Sequence, residues 1–376
     1  MSSIVVAGDT SGSVTLQAPA VAGSTTLTLP TSSGTVLTTA SGQVLTAPVL
    51  GTPASGSLVN CTDVNYTGFK NRIINGGMVI NQRGYGSTPI STDPVYTLDR
   101  WRNSASGGGA FSSEQSTTVP NGNFTNSLKL TVTTADSSIG SAEYYSFNQI
   151  IEGYNIADLG FGTSSAKSVT ISFWVQSSLT GTYGCTICNS VATRSYVSLY
   201  SIPVANTWTY ITLTIPGDTS GTWLTTNGIG LYVIFSLGNG TSRQTATPNT
   251  WSSTFAETTS AQSQWIATSG ATFYITGVQL EKGSVATSFD QRAYSQELAM
   301  CERYYEQTFF VSWGATYSNI YPQATYRVQK RATPTLTFSA ANGGFTANIR
   351  PLGFYQNSAN SLGAANAITV YSTAEL

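Results

Sequence analysis

Five runs between residues 128 and 280 alternate apolar and polar side chains with a period of two, which is the spacing of side chains on one face of a β-strand. These runs are LKLTV at 128–132, VTISFWV at 169–175, WTYITLTI at 208–215, IGLYVIFSL at 229–237 and FYITGVQL at 273–280. Asn-Gly pairs at 121–122, 227–228 and 239–240 indicate turns. Strands with one buried face predict antiparallel sheets, so we expect residues 103–290 to form an antiparallel β-sandwich of the jelly-roll type.

The first 62 residues contain one charged side chain, Asp9, and no aromatic side chain. A segment made of Thr, Ser, Gly, Ala, Val and Leu has too little large apolar surface to offset the entropy of ordering its own chain. It nevertheless carries short β-prone strings, such as VTLQ at 14–17 and GTVLT at 34–38. We therefore predict that residues 1–65 form an extended N-terminal β stalk whose order depends on pairing with other chains.

Charged and aromatic residues first appear together at 66–102, which we interpret as a linker or neck. Asn75, Gly76 and Gly77 indicate a tight turn between two short apolar runs. The adjacent charges at Asp99, Arg100 and Arg102 flank Trp101, and this pattern favours a buried or half-buried ion-pair hinge over a ligand site.

Good helix formers dominate residues 293–307, and Leu298, Cys301 and Tyr305 give them one apolar stripe. We expect a connector helix here, within a segment spanning 291–307, with Ser295 as a candidate N-cap. Residues 308–376 return to β-like patterns, such as YRVQ at 326–329, and we predict a small C-terminal β tip domain. The chain as a whole is expected to be mainly β.

Composition argues against two classes of partner. Charged residues make up 9% of the chain and the formal net charge is -1, without any run of Lys or Arg that would bind nucleic acid. No apolar stretch approaches the roughly 20 residues that span a bilayer, so we expect no membrane insertion. The N-terminus does not read as a signal peptide, which predicts synthesis in a cytoplasm.

The chain has no histidine, which excludes Ser-His-Asp and Cys-His catalysis. Cys185 and Cys188 resemble a metal or redox pair, but residues three apart on a strand point to opposite faces. We therefore expect all four cysteines to be free and mostly buried thiols, namely Cys61, Cys185, Cys188 and Cys301. We predict no catalytic residue, no metal and no cofactor. Glycoside hydrolysis needs only two carboxylates and stays open in principle, although Asp218 and Glu257 are the only acidic residues between 160 and 280.

The aromatic residues are the candidate ligand-binding groups. Trp208, Trp223, Trp251 and Trp265 are expected at strand ends or in loops of the sandwich, where an indole ring could stack on the apolar face of a sugar. In the predicted tip, Trp313, Tyr317, Tyr321 and Tyr355 lie among Asn, Gln and Ser, which is a composition typical of binding surfaces. The alternative for each of these rings is packing in a core or between chains.

Several long strings in this sequence resemble a family of tailed-bacteriophage virion proteins, commonly tail fibres, over roughly residues 1–307. The strings are NRIINGGMVINQRG at 71–84, YTLDRW at 96–101, SVTISFWVQSSLTGTY at 168–183, WTYITLTIPGDTSGTW at 208–223 and FYITGVQLEKGSVATSFDQRAYSQELAMCERYYE at 273–306. The central module of that family is similar to a carbohydrate-binding jelly roll. No set of ligand residues carries over from the family.

The resemblance implies a homotrimeric fibre in the virion tail that is made in the host cytoplasm. Its N-terminal segment would bind other phage tail or virion proteins, and its C-terminal part would attach to the host surface, through a glycan or another receptor. Two alternatives remain open: a fibre or decoration protein of the capsid, and a glycan-degrading tailspike. A secreted lectin is a third, which the apparent lack of a signal peptide and the uncharged leader argue against.

Overall fold

The computed structural model describes residues 3–7, 13–17, 69–312, 323–338, 347–356 and 366–376. The chain divides into two compact units, 1–61 and 62–376. In the first unit, strands β1 (Ser3–Ala7) and β2 (Ser13–Gln17) pair antiparallel. The remainder of the predicted stalk at 1–65, including Cys61, lies outside the described residues.

The next twelve strands build a sandwich of two sheets. In chain order they are β3 (Val95–Tyr96), β4 (Trp101–Ser106), β5 (Ala110–Ser116), β6 (Ser127–Thr134), β7 (Tyr144–Glu152), β8 (Val169–Ser177), β9 (Gly181–Asn189), β10 (Ser195–Ile202), β11 (Thr209–Ile215), β12 (Ile229–Asn239), β13 (Trp251–Ser252) and β14 (Thr272–Lys282). Short 3-10 helices lie at Gly153–Asn155, Ala157–Leu159, Thr241–Arg243 and Trp265–Ala267.

One sheet has seven strands in the order β13-β10-β9-β12-β7-β4-β3, and the other has five in the order β11-β8-β14-β6-β5. Neighbouring strands within each sheet pair antiparallel. The chain crosses between the sheets repeatedly, for example from β6 to β7, from β7 to β8 and from β8 to β9. The predicted antiparallel sandwich is therefore confirmed, and its long strands coincide with the alternating runs of the sequence.

The alternation of side chains explains how the core forms between the two sheets. Val169, Ile171, Phe173 and Val175 of β8 are all 0% exposed, because every second residue of this strand points inward. On the facing sheet, the rings of Phe147 and Phe235 stack with centroids 4.8 Å apart. The intervening side chains point to the outer faces of the sandwich, which is where a ligand can reach the sheets.

The segment interpreted as a linker at 66–102 contributes to this same core. Ile73, Met78, Leu98 and Trp101 are fully buried within it. Asn75 adopts a left-handed φ of 58° at the predicted turn, and its side-chain amide nitrogen donates to the carbonyl oxygens of Ile80 at 2.8 Å and Asp99 at 3.0 Å. The described part of this segment therefore contributes side chains to the core of the sandwich.

The predicted ion-pair cluster is buried, as expected, and its partner comes from the end of the chain. Asp99 is 0% and Arg100 1% exposed. Arg100 forms an ion pair with Glu375, and Arg83 contacts the same carboxylate at 3.0 Å. The Arg100 guanidinium also lies 3.6 Å from the ring centroid of Tyr304. The Glu375 carboxylate therefore neutralises the buried charge of Arg100.

The helix is shorter than predicted. Helix α1 spans Tyr294–Glu302, and Tyr305 lies instead in strand β15 (Tyr305–Ser312). The prediction of helix up to residue 307 was wrong because β15 pairs along its whole length with a C-terminal strand, which outweighs local helix propensity. The prediction that Ser295 caps the helix was also wrong, since the N-cap is Ala293 without a side-chain hydrogen bond.

The C-terminal part is rich in strands, as predicted. In chain order they are β16 (Gln323–Thr325), β17 (Thr335–Phe338), β18 (Ala347–Arg350), β19 (Gly353–Gln356) and β20 (Asn366–Thr373). They form two small sheets, β15-β20-β17 and β16-β19-β18, and belong to the same compact unit as the sandwich. The run at 326–329 is not a strand. The exact domain boundaries remain predictions.

Three of the four cysteines lie among the described residues. Cys185, Cys188 and Cys301 are free and buried there, and burial raises the pKa of each thiol. Within the same residues, no group of three or more His, Cys, Asp or Glu side chains is arranged to hold a metal ion. Among the described residues, no helix has both the length and the hydropathy needed to cross a membrane.

Candidate functional site

A polar pocket of about 150 Å³ opens on the outer face of the seven-stranded sheet. Its floor comes from three adjacent strands, β4, β7 and β12. The register places Asn148 between Arg102 and Ile234, and Ser146 between Ser104 and Ser236. These side chains face outward because their neighbours along each strand, such as Phe147 and Phe235, point into the core.

Asn148, on the floor of the pocket, carries a buried polar atom that indicates a binding site. Its side chain is 4% exposed, and its amide nitrogen lies 3.3 Å from Ser104 Oγ. Its Oδ1 and the Nε of Arg102 are buried without a hydrogen-bond partner among the described residues. Buried polar atoms are nearly always paired in folded proteins, so unpaired atoms lining a pocket point to a ligand or ordered water that would complete them.

One wall of the pocket is built around Asp93. Its carboxylate accepts hydrogen bonds from Arg102 at 2.7 Å, from Ser104 Oγ at 2.9 Å and from the Tyr144 hydroxyl at 3.0 Å. Burial raises the pKa of Tyr144, and the hydrogen bond to Asp93 raises it further, so this hydroxyl stays protonated near neutral pH. Three donors from two strands therefore fix the position of the carboxylate.

The opposite wall is built around Glu257, which is 2% exposed. Arg243 pairs with it at 2.5 Å, and Asn239 donates to its second oxygen at 2.8 Å. Burial raises the pKa of Glu257, whereas the charge of Arg243 opposes that shift. The Arg243 guanidinium also lies 3.6 Å from the ring centroid of Tyr144, which joins the two walls.

The chemistry of the pocket follows from this charge pairing. Two carboxylates face two guanidinium groups, so the lining has no formal net charge, and each carboxylate is already held by an Arg side chain. Hydroxyl, amide and tyrosine groups remain to contact a ligand. This arrangement suits a small neutral molecule with many hydroxyl groups.

The predicted tryptophan residues do not converge on this pocket. Trp265 is 0% exposed and packs on Phe111 and Phe273, with ring centroids 6.1 and 6.4 Å away, so its prediction as a ligand platform was wrong. Trp223 is 7% exposed, which leaves its ring no free face for stacking. Both rings belong to the core between the sheets.

Trp251 and Trp208 are half-buried at different places. Trp251 lies in a cluster with Trp223 and Phe161, at centroid distances of 5.6 and 6.0 Å, and its indole nitrogen donates to the Pro216 carbonyl oxygen at 2.8 Å. Trp208 lies 6.3 Å from Tyr274, on the outer face of the five-stranded sheet. A ligand contact at either ring stays a prediction.

Of the candidates in the predicted tip, Tyr355 lies on β19 and is 37% exposed, so its role also stays a prediction. Trp313, Tyr317 and Tyr321 lie outside the described residues.

The sequence analysis did not predict Asn148, Tyr144 or Arg243 as site residues. In the sequence, Asn148 and Tyr144 are only polar positions on the outward face of a strand. The one signal was the polar alternation of YSFN at 145–148, which places Ser146 and Asn148 on the same face.

Comparison with known proteins yields structural likenesses alone. No protein-family model and no curated protein matches the chain. A tailspike protein 4 enzymatically active domain of bacteriophage CBA120 is 17% identical with a TM-score of 0.29, and the match covers 58% of this chain and 22% of that one.

Carbohydrate-binding modules are also among the matched structures. A CBM4 structure is 15% identical with a TM-score of 0.29, covering 56% of this chain and 98% of that one. A family 11 carbohydrate-binding module from Clostridium thermocellum, in complex with a mixed-linked tetrasaccharide, is 13% identical with a TM-score of 0.28, covering 54% and 99%. At these scores the likenesses carry no argument about function.

Proposed function

We propose that this protein is a non-enzymatic glycan-binding attachment protein, and that the polar pocket on the seven-stranded sheet holds one sugar unit. The observation that carries the proposal is the buried, unpartnered Oδ1 of Asn148 in a pocket with balanced charges. Sugar hydroxyl groups both donate and accept hydrogen bonds, so one ligand can complete the amide oxygen of Asn148 and the Nε of Arg102 together.

The setting we propose is the tail of a bacteriophage, where the chain acts as a homotrimeric fibre that attaches to a host surface glycan. The resemblance of several long strings to tailed-phage virion proteins supports this setting. Three copies of a weak site on one fibre would raise avidity without requiring tight single contacts. The N-terminal segment would join other virion proteins.

Binding is tested by titrating the full chain with soluble bacterial surface polysaccharides and neutral monosaccharides, using saturation-transfer NMR. Asn148→Ala is expected to weaken binding by about tenfold or more, because it removes hydrogen bonds to the ligand. Ser146→Leu fills the floor of the pocket and is expected to abolish monosaccharide binding at this site. Asn155→Ala is the matched control, because Asn155 lies in a short 3-10 helix and does not line the pocket.

Thermal unfolding of each variant separates loss of binding from loss of fold. If both pocket variants remain folded and bind like the wild type, the pocket is not the glycan site.

The finer proposal is tested on virions. Antibody labelling viewed by electron microscopy should mark the tail; labelling of the capsid would instead favour a capsid fibre or decoration protein. Release of oligosaccharides from purified host polysaccharide would favour a tailspike. Light scattering that shows a folded monomer would contradict the homotrimer.

A further inference from the structure

A second concave surface, a groove of about 500 Å³, lies on the outer face of the five-stranded sheet. Strands β8, β11 and β14 form its base, the loop between β5 and β6 forms one side, and residues after β14 form the other. The groove and the polar pocket thus lie on opposite outer faces of the sandwich and share no lining residue.

The base of the groove carries exposed aromatic rings. Tyr210 of β11 pairs in register with Trp174 of β8, and their ring centroids lie 5.1 Å apart. Tyr210 is 44% exposed, and Trp174 is half-buried. Phe173 and Val175, on either side of Trp174 along the strand, are buried in the core, so the backbone holds the Trp174 ring outward.

The aromatic surface continues along the same face. Tyr274 of β14 pairs with Gln176, two residues beyond Trp174 on β8, and the ring of Trp208 lies 6.3 Å from the ring of Tyr274. These two rings are also half-buried. One face of a single sheet therefore presents two pairs of aromatic rings.

The sides of the groove are braced against each other. Gln291 donates a hydrogen bond from its side chain to the Asn123 carbonyl oxygen at 2.8 Å, and the rings of Phe124 and Phe289 meet edge-on at 5.3 Å. Gly277 forms a bulge with a φ of +63°, and a Cβ there would lie 2.6 Å from the Phe124 ring. Glycine at this position lets Phe124 pack closely, so the groove is formed before any ligand arrives.

The lining has no charged residue. Besides the rings, it offers the amides of Asn121, Asn123 and Gln291 and the hydroxyl groups of Ser172 and Ser288. An anionic polymer or a lipid headgroup would require cationic partners, which this lining lacks. A neutral oligosaccharide matches it, because each sugar ring has an apolar C–H face for stacking and hydroxyl groups at its edge for the amides.

The geometry points to a second glycan-binding surface, in which a neutral oligosaccharide lies across Tyr210 and Trp174 with its hydroxyl groups against the amide rim. The chain of sugar units extends toward Trp208 and Tyr274. This surface does not depend on the Asn148 pocket. Two sites on opposite faces would allow one sandwich to bind two glycan strands.

The test uses short neutral oligosaccharides of glucose, galactose and mannose, with tryptophan fluorescence and saturation-transfer NMR as readouts. Tyr210→Ala is expected to weaken binding by about tenfold or more, and Trp174→Ala to do the same. Trp174→Phe keeps a stacking ring and is expected to retain most of the affinity. Tyr154→Ala is the matched control, because Tyr154 is 60% exposed and lies outside the groove.

The proposals for the pocket and for the groove can be tested independently. Asn148→Ala should leave oligosaccharide binding at the groove unchanged, and Tyr210→Ala should leave binding at the pocket unchanged. The inference is overturned if the wild type binds none of these oligosaccharides, or if folded Tyr210→Ala and Trp174→Ala variants bind like the wild type. It is also overturned if these variants change the oligomeric state, which would identify the face as a contact between copies of the chain.

Discussion

At the scale of single residues, several buried charges have specific partners. Arg100 is 1% exposed, and the carboxylate that neutralises it belongs to Glu375, the second-last residue. The Arg100 side chain also donates to the Ile150 carbonyl oxygen of β7. Removing the partner of a buried charge lowers the free energy of unfolding far more than removing the partner of an exposed charge, because water cannot solvate the buried charge in its place.

We therefore expect Glu375→Gln to lower the free energy of unfolding by about 3–5 kcal/mol. Glu114→Gln is the matched control, since Glu114 and Lys129 pair at 2.8 Å with side chains that are each 29% exposed. That change should cost about 1 kcal/mol or less. Urea denaturation followed by circular dichroism gives both values, and equal losses would show that Glu375 is not the essential partner of Arg100.

At the scale of elements, close backbone approach joins the segment at 69–80 to strand β14. The Val278 amide donates to the Gly76 carbonyl oxygen at 3.0 Å, and Asn71 donates from its side chain to the Val278 carbonyl oxygen at 3.0 Å. A Cβ at Gly76 would lie 2.2 Å from that carbonyl oxygen. Only glycine allows the turn to lie this close to the strand.

Gly76→Ala is accordingly expected to destabilise the protein by about 1–3 kcal/mol, because the clash is with backbone atoms that cannot rotate away. Gly86→Ala should change stability little, since open space surrounds that position. Thermal unfolding of the two variants makes the comparison. A Gly76→Ala variant as stable as the Gly86→Ala variant would contradict the close packing of the turn on β14.

The C-terminal end of helix α1 is a boundary that the sequence did not predict. The composition of 293–307 favours a helix throughout, yet the helix ends at Glu302 and Tyr305 begins a strand. The strand pairs with β20, which lies 54 to 68 residues away in sequence, from Tyr305↔Thr373 to Ser312↔Asn366. A local pattern contains no information about so distant a partner, so the boundary could not be predicted from it.

At the scale of the whole molecule, buried tyrosines link stability to pH. Burial raises the pKa of Tyr96, Tyr145, Tyr200 and Tyr304 in the folded state. In the unfolded chain these groups ionise at about pH 10. Above that pH the unfolded state has lost protons that the folded state keeps, so the free energy of unfolding falls as pH rises.

We expect these tyrosines to cause no change in the free energy of unfolding below about pH 9. Above about pH 10 they should lower it by up to about 1.4 kcal/mol per pH unit for each buried tyrosine. Tyr200→Phe is the informative variant, because its buried hydroxyl has no hydrogen-bond partner among the described residues. It should be at least as stable as the wild type near neutral pH, with a shallower fall in alkali. Urea denaturation across this pH range measures the slopes, and an unchanged slope would show that Tyr200 ionises normally.

The alternating runs by themselves determined the class of fold. Period-two patterns such as Val169, Ile171, Phe173 and Val175 require a buried face, and the absence of histidine removes whole classes of catalysis. The charges that flank Trp101 in the sequence also indicated a buried or half-buried ion-pair cluster at Asp99 and Arg100. These properties depend on residue type and on neighbours close in sequence.

Tertiary structure alone decided which outward side chains meet. Asn148, Arg243 and Asp93 lie far apart along the chain and come together because β7 pairs with β4 and β12, while a 3-10 turn carries Arg243 over the sheet. Trp265, predicted at a strand end or in a loop, is buried for the same reason. Strand pairing and the packing of two sheets fix the distances between residues remote in sequence, whereas a periodic pattern specifies only which face of its own strand each residue occupies.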